Sequence, residues 1–237
     1  MIKSLYNINM YVERKPLTDK FLHSSCHWGL DRRSQEFDAI VRRYADAYNQ
    51  ELIKAEEKCV LDKYFADDRT SSEYLYDVFN AWIVEDLVVM WLENGMSKFC
   101  DDFFIKKTGS DSDRKFQFSD AHKITTETDL MCGFGTTSRK VEVQFSSKVR
   151  LSGYDMKCGK VQRGKCEGSV FLWIVSANGT YFICDPRKDL EGIEPMPNPF
   201  WGGKITYRLT PDRIKSFRVK DGLCTAFIDM VTQPEVV

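Results

Sequence analysis

The order of the hydrophobic patterns constrains the fold of this chain more than any other feature. Apolar residues recur at helical spacing in two runs, 34–59 and 71–95, and the second run begins at a serine and ends at Gly95. Strand-like runs then follow at 124–134, 139–149, 168–177 and 180–185. Helices followed by a cluster of strands predict an α/β or α+β fold, with a central mixed β-sheet flanked by helices.

Shorter signals refine this outline. The sequence ANG between the last two strand-like runs predicts a β-hairpin. A polar loop is expected at 106–115, and the segment rich in Pro and Gly at 187–203 indicates a surface excursion. A further strand is expected at 204–209 and a helix that starts at a proline at 210–217.

Length and composition bound the possible classes of protein. The chain has 237 residues, of which 43% are hydrophobic and 29% charged, as in ordinary globular proteins. We expect one compact domain, with residues 71–237 as its core and residues 1–70 as a helical or irregular extension packed on it. The net charge of −1 means that any basic surface must be local.

The chain carries no visible export or membrane signal. Its start lacks an apolar targeting segment, and Glu85 and Asp86 interrupt its most apolar stretch. We therefore expect an intracellular protein with no membrane partner, whose eight scattered cysteines are free thiols. Two zinc sites are alternatives, one formed by His23, Cys26 and His27 and the other by Cys158 and Cys166. Each would need further ligands that the sequence does not show nearby.

The run KVEVQFSSK, residues 140–148, has an unusual polar face. Val141 and Val143 point to one side, whereas Glu142 and Gln144 point to the other. If this strand forms a hairpin with the preceding one, Asp129 comes close to Glu142 across the turn. Two neighbouring carboxylates repel each other unless a cation lies between them, and Mg²⁺ is a natural partner for oxygen ligands. An ordinary solvated face is the alternative.

A third carboxylate lies in the second helical run. Glu85 follows Trp82 by three residues and precedes Val89 by four, so it lies on the apolar stripe. A carboxylate in that position needs a cation or hydrogen bonds, unless the helix turns it toward the rim.

The order of these residues resembles the signature of the PD-(D/E)xK nuclease superfamily. A glutamate in a helix, Glu85, is followed by Asp129 and then by the run Glu142-Val143-Gln144. The resemblance covers about residues 72–186 and implies a restriction-endonuclease-like core. It implies that Asp129 and Glu142 bind Mg²⁺, or Mn²⁺ as a substitute, with the backbone carbonyl of Val143. It also implies that Glu85 binds or orients a second ion or its water.

Gln144 departs from this family pattern, which has lysine at that position. A neutral amide can position a water but cannot lower its pKa as an ammonium group does. Two lysines share the strand face of Glu142. Along a straight strand, Lys140 lies roughly 7 Å and Lys148 about 20 Å from Glu142, and neither is favoured as a replacement for the family's lysine.

A local basic segment follows the candidate catalytic strand. Residues 148–165 contain six cations and one acid, and three glycines predict a loop. Such a segment is expected either to contact a phosphate backbone beside the site or to be simply solvated. The candidate nucleic-acid-binding residues are Lys148, Arg150, Lys157, Lys160, Arg163 and Lys165.

The sequence therefore predicts a Mg²⁺-dependent endonuclease that hydrolyses phosphodiester bonds, in DNA rather than RNA, with catalytic residues Asp129, Glu142, Gln144 and Glu85. Restriction, phage or mobile-element, and repair roles are all compatible, and a homodimer is possible. Two alternatives stay open: a nuclease-fold protein that has lost activity and binds nucleic acid or a protein, and an RNA-directed nuclease.

Overall fold

A computed structural model describes residues 71–109, 112, 127–146 and 148–232, with residues 35, 39, 40, 43 and 44 of an earlier helical segment. Four α-helices and nine strands are described between residues 71 and 232. The helices are α1 (Ser71–Met96), α2 (Cys158–Glu167), α3 (Pro186–Asp189) and α4 (Thr225–Thr232). The strands are β1 (Phe103–Lys107), β2 (Leu130–Phe134), β3 (Thr137–Ser146), β4 (Tyr154–Lys157), β5 (Val170–Val175), β6 (Thr180–Cys184), β7 (Met196–Asn198), β8 (Lys204–Leu209) and β9 (Phe217–Arg218).

The central sheet is mixed. Its strand order is β1-β2-β3-β5-β6-β9; β3 and β5 run parallel, and the other neighbouring pairs run antiparallel. The parallel pair requires a crossover, which contains β4 and α2. The predicted fold class, a central mixed sheet flanked by helices, is therefore confirmed. The predicted hairpin of the last two strand-like runs is also confirmed, as β5 and β6.

A second, three-stranded sheet, in the order β4-β8-β7, is antiparallel throughout. Apolar side chains of β4, α2 and β8 form one core with those residues of β5 and β6 that point to this side. The opposite side of the central sheet packs against α1 and α4 in a second core. Val141 and Val143 belong to this second core, so the predicted inward face of KVEVQFSSK is confirmed.

Several sequence-based expectations are wrong. Residues 210–217 form no α-helix, but a short 3₁₀ turn at Pro211–Arg213 before β9. Within the basic segment, residues 158–165 are helical rather than a loop, because they belong to α2. Part of the expected loop at 106–115 is the end of β1, and neither β1 nor α4 was anticipated.

Other expectations fall partly outside the described residues. Of the helix expected at 34–59, only the five residues already named are described, and they are helical. The expected extension at 1–70 is otherwise outside the described part of the chain. None of the helices in that part is long and apolar enough to cross a membrane. The six cysteines described are free thiols.

Gly133 allows the close approach of β2 to β3, which sets the position of the candidate site. A Cβ atom there would lie 2.2 Å from the carbonyl oxygen of Thr137 and 2.8 Å from Cα of Ser138. We expect Gly133→Ala to destabilise the protein by about 1–3 kcal/mol, the usual range for overpacking, and to lower Tm by about 2–4 °C per kcal/mol. Thermal unfolding followed by circular dichroism measures this change.

Gly159→Ala is the matched control for this substitution. Gly159 is helical and exposed, and nothing lies within 4 Å of a Cβ atom at that position. Because alanine favours helix more than glycine does, this variant should keep or raise Tm. Equal losses of stability in the two variants would contradict the steric argument.

Candidate functional site

The polar face of β3 is covered by α2. Glu142 pairs with Phe171 and Gln144 with Trp173 of the parallel neighbour β5, and both aromatic side chains belong to the core beneath α2. The Glu142 side chain is only 1% exposed. A buried carboxylate is costly unless charged or polar groups compensate it, so its surroundings decide what this face can do.

Asp129 lies directly before the first residue of β2. Because Leu130 pairs with Val141, the β2–β3 hairpin brings Asp129 beside the polar part of β3. One carboxylate oxygen of Asp129, Oδ2, accepts a hydrogen bond of 2.7 Å from the backbone N–H of Val143. The hairpin predicted from the sequence therefore forms, and it places Asp129 next to Glu142 and Val143.

Asp129 interacts with two other acidic groups, Glu142 and Glu85. Burial raises the pKa of Asp129 well above its usual value, and the charges of Glu142 and Glu85 raise it further. The ammonium group of Lys160 and the Val143 hydrogen bond act in the opposite direction but do not cancel the increase. Glu85 of α1 thus lies close enough to act on Asp129, as the resemblance implied, and it is partly buried.

Two cations of α2 reach the buried carboxylate. Lys160 forms an ion pair and a hydrogen bond from its Nζ to Oε1 of Glu142. Arg163, one helical turn later, places Nη2 3.5 Å from Oε2 of the same residue. Residues three apart share a helix face, so α2 presents both cations to the site.

Lys160 is held in its charged form. Burial alone would lower the pKa of Lys160, but the negative charges of Glu142 and Asp129 and the hydrogen bond to Glu142 raise it by more. The net increase means that this side chain acts as an ammonium group, which can donate hydrogen bonds but cannot accept a proton.

The compensation of Glu142 is incomplete. Its Oε2 atom is buried and has no hydrogen-bond partner among the protein groups. The Nε and Nη1 atoms of Arg163 are also buried without a partner. Unpaired buried polar atoms are rare in proteins, so these atoms are candidates for contact with a ligand, an ion or water.

Gln144 contacts the same group of atoms. Its Nε2 lies 3.0 Å from the carbonyl oxygen of Val143 and 3.3 Å from Oε1 of Glu142, and it donates a hydrogen bond to each. The side chain at this position therefore points to the site, where the family pattern has lysine.

The remaining predicted cations lie elsewhere. Lys140 pairs with Glu167 at 2.6 Å on the surface, so it does not reach the site. Lys165 places its ammonium group 4.9 Å from the centre of the Tyr207 ring. The other three are exposed, at the end of β4 or in the connection after β3: Lys148, Arg150 and Lys157.

Zinc-type sites receive no support in the described part of the chain. No three or more His, Cys, Asp or Glu side chains come together there in a geometry that could hold a metal ion by themselves. Cys158 and Cys166 stand at opposite ends of α2, apart by about 12 Å at the helical rise. His23, Cys26 and His27 lie outside the described residues.

Sequence reasoning misplaced Lys160 and Arg163. It placed both in a loop, either in contact with a phosphate backbone or solvated, and so missed their helical position and their contacts with Glu142. Their spacing of three residues was the available signal, since on a helix it puts both cations on one face.

Comparison with known proteins gives little beyond this geometry. No protein-family model and no curated protein matches the chain. Among solved structures, the chain is similar to Hjc, a Holliday junction resolvase of the archaeal hyperthermophile Archaeoglobus fulgidus. The match has 11% identity and a TM-score of 0.33, and it covers 61% of this chain and 95% of that one. A likeness of this size carries no argument about function.

Proposed function

We propose that this protein is a Mg²⁺-dependent endonuclease that hydrolyses phosphodiester bonds in DNA. The observation that carries the proposal is the meeting of Asp129 and Glu142 at the β2–β3 hairpin, with the charge of Glu85 close by. Two carboxylates that repel each other in a partly dry site are a suitable arrangement for a hard divalent cation.

The donor set fits such an ion. Asp129 and Glu142 would bind it, and Oε2 of Glu142 is a buried acceptor without a hydrogen-bond partner. The Val143 carbonyl is a third candidate ligand that at present accepts a hydrogen bond from Gln144. Mg²⁺ keeps several waters, so two carboxylates suffice and a larger cluster of acidic residues is not required. Glu85 would then orient one of those waters.

The bound ion would activate a water molecule and stabilise negative charge on the phosphate. The protein itself would contribute Lys160, whose ammonium group can donate hydrogen bonds to a phosphate oxygen once the ion shares Glu142. Lys160 would thus supply the positive charge that Gln144 lacks. Arg163 would hold the Glu142 carboxylate in place from the other side.

One observation favours a second candidate function. Lys160 forms an ion pair with Glu142, and a neutral glutamine occupies position 144. A site whose glutamate is satisfied by protein cations could bind a phosphate backbone without cutting it. This alternative is a nucleic-acid-binding protein that has lost catalysis.

The test is cleavage of supercoiled plasmid, single-stranded DNA and RNA with Mg²⁺, Mn²⁺ or EDTA. We expect cutting of DNA that depends on the metal. Glu142→Ala should reduce it by more than about 100-fold, since even the loss of groups that only support metal ligands costs 10–100-fold. Lys140→Ala is the control, because this exposed lysine pairs with Glu167 away from the site.

The outcomes separate the candidates. Full cleavage by Glu142→Ala, in a preparation free of contaminating nuclease, would disprove the assignment. DNA binding without cleavage under any metal would favour the second candidate. Faster cutting of RNA than of DNA would identify an RNA-directed nuclease with the same site.

A further inference from the structure

An exposed aromatic turn joins β7 to β8 in the smaller sheet. Phe200 is 89% and Trp201 39% exposed, and at the base of the turn Met196 is 50% and Ile205 46% exposed. Single exposed apolar residues are ordinary on protein surfaces, whereas two successive exposed aromatic residues on one turn, here Phe200 and Trp201, are a candidate binding site.

A buried polar network holds this turn. The side chain of Asn198, only 2% exposed, accepts a hydrogen bond of 3.0 Å from the Phe200 N–H and donates one of 2.9 Å to Asp155. Asp155 in turn accepts hydrogen bonds of 2.7 and 3.1 Å from Arg208. Aromatic rings presented on a fixed turn lose little conformational freedom on binding, which favours affinity.

Strand register places the turn near the start of α2, the helix that covers the candidate site. Lys157, the last residue of β4, pairs with Thr206 of β8, and α2 begins immediately after it. Lys204, two residues before Thr206, therefore lies about 8 Å from Lys157 at ordinary strand spacings. From the first turn of α2, Lys160 reaches Glu142.

The charges along this route suit a nucleic acid strand. Lys157 and Lys204 are both exposed; Lys157 immediately precedes α2, which carries Lys160, and Lys204 is the first residue of β8 after the aromatic turn. Glu194, two positions before Met196, is an exposed acidic residue near the turn, and the Asp155 carboxylate is neutralised by Arg208. A backbone that occupies the site could follow these cations, and its bases would meet the rings.

We propose that Phe200 and Trp201 stack on an unpaired nucleobase of the strand whose backbone occupies the candidate site. This inference rests on the proposed function and deepens it, because it names the substrate class. The rings require bases that are free to unstack, so the preferred substrate has a single-stranded segment beside the cleaved bond and is not an intact duplex.

The test compares single-stranded and blunt duplex DNA by fluorescence anisotropy, with Ca²⁺ or EDTA in place of Mg²⁺. Loss of one stacked base typically costs about 1–3 kcal/mol, which corresponds to roughly 5–150-fold in affinity. We expect Phe200→Ala with Trp201→Ala to weaken single-strand binding by about 10-fold or more and to leave duplex binding unchanged. With 2-aminopurine in the strand, the wild type should change its fluorescence and the double variant should not.

Phe99→Ala is the matched control. Phe99 is also an exposed aromatic residue, 61% accessible. It lies in the connection between α1 and β1, which is a different part of the chain from the β7–β8 turn. This variant should bind both DNA forms as the wild type does. Because all three aromatic residues are exposed, their variants should keep the wild-type Tm, which confirms that each protein is folded.

Several outcomes would overturn the inference. Wild-type affinity for single strands in the double variant would do so, and so would equal losses for single strands and duplex. A change of oligomeric state in the double variant, measured by sedimentation, would assign the turn to a protein contact. The proposed function is tested by a different measurement, because it is disproved if the wild type shows no metal-dependent cleavage. The inference about the turn depends only on the DNA-binding measurements.

Discussion

Asp129→Asn should make the protein more stable in the absence of metal ions while it removes cleavage. The burial of Asp129 and the charges of Glu142 and Glu85 raise its pKa, so the ionised form is disfavoured in the folded state. Asparagine has no charge to repel them, and its side-chain oxygen can still accept the hydrogen bond from Val143. A gain of about 1 kcal/mol would raise Tm by about 2–4 °C at neutral pH.

The pH dependence follows from the direction of this shift. A carboxyl group whose pKa is higher in the folded than in the unfolded chain binds its proton more tightly when folded. Its contribution to stability is complete below the unfolded pKa, about 3.9 for Asp, and is lost as the pH rises through the folded pKa. The stability advantage of Asp129→Asn should therefore be largest at neutral pH and disappear in acid, at and below about pH 4.

Divalent ions supply a second measurement. Mg²⁺ should raise Tm of the wild type, because an ion that binds only the folded protein stabilises it, and should leave Asp129→Asn almost unchanged. Asp155→Asn is a suitable control, since Asp155 is a carboxylate paired with Arg208 away from the site. Two results would contradict this account of the site. One is a Tm of Asp129→Asn below that of the wild type without metal, and the other is an equal increase of Tm on addition of Mg²⁺ in the wild type and in Asp129→Asn.

The sequence was a good guide to the hairpin. Alternation in residues 140–148 correctly separated Val141 and Val143, which enter the core, from Glu142, which does not. This works because successive side chains of a strand point to opposite faces, so the pattern is local and visible in the sequence. The position of Asp129 followed from the short connection between the two strands.

The helix that covers the site was not predictable in the same way. The glycines within residues 158–165 predict a loop, but α2 passes through Gly159 and Gly164. A Cβ atom on Gly164 would lie 2.9 Å from the side chain of Pro186, so glycine permits close packing there and does not mark a turn. Contacts with Pro186 depend on the tertiary fold, and no local pattern records them.

Metal preference and substrate form are not local patterns either. They depend on how α1, α2 and the β2–β3 hairpin converge, and each lies in a different part of the chain. The Glu85 side chain illustrates this limit: the local pattern places it on an apolar stripe, whereas only the resemblance to a nuclease superfamily implies that it lies near Asp129.

Lys160→Met should reduce metal-dependent cleavage by roughly 100-fold or more, the lower part of the range for loss of one hydrogen-bond donor that stabilises charge in the transition state. Lys160 is the cation nearest to Glu142, and its raised pKa keeps it charged. The variant also leaves a buried carboxylate with less compensation. The loss of stability should stay below the 3–5 kcal/mol of fully buried pairs, since the Lys160 side chain is 35% exposed.

Gln144→Lys in the Lys160→Met background separates a functional role of this cation from a structural one. Nε2 of Gln144 lies 3.3 Å from Oε1 of Glu142, so a lysine at position 144 can place its ammonium group at nearly the same point. We expect the double variant to recover at least about 10-fold in cleavage rate over Lys160→Met, as well as part of the lost stability. Lys140→Met, which removes an exposed lysine paired with Glu167 away from the site, is the matched control and should cleave as the wild type does.

Two measurements distinguish the possible results of this experiment. If Tm recovers in the double variant but cleavage does not, Lys160 serves only to compensate the charge of Glu142. If neither single nor double variant changes the cleavage rate, the positive charge beside Glu142 has no part in the reaction. Recovery of both properties would mean that the chain carries on α2 the cation that the family pattern carries on the strand, because an ammonium group delivered from either element meets the same carboxylate.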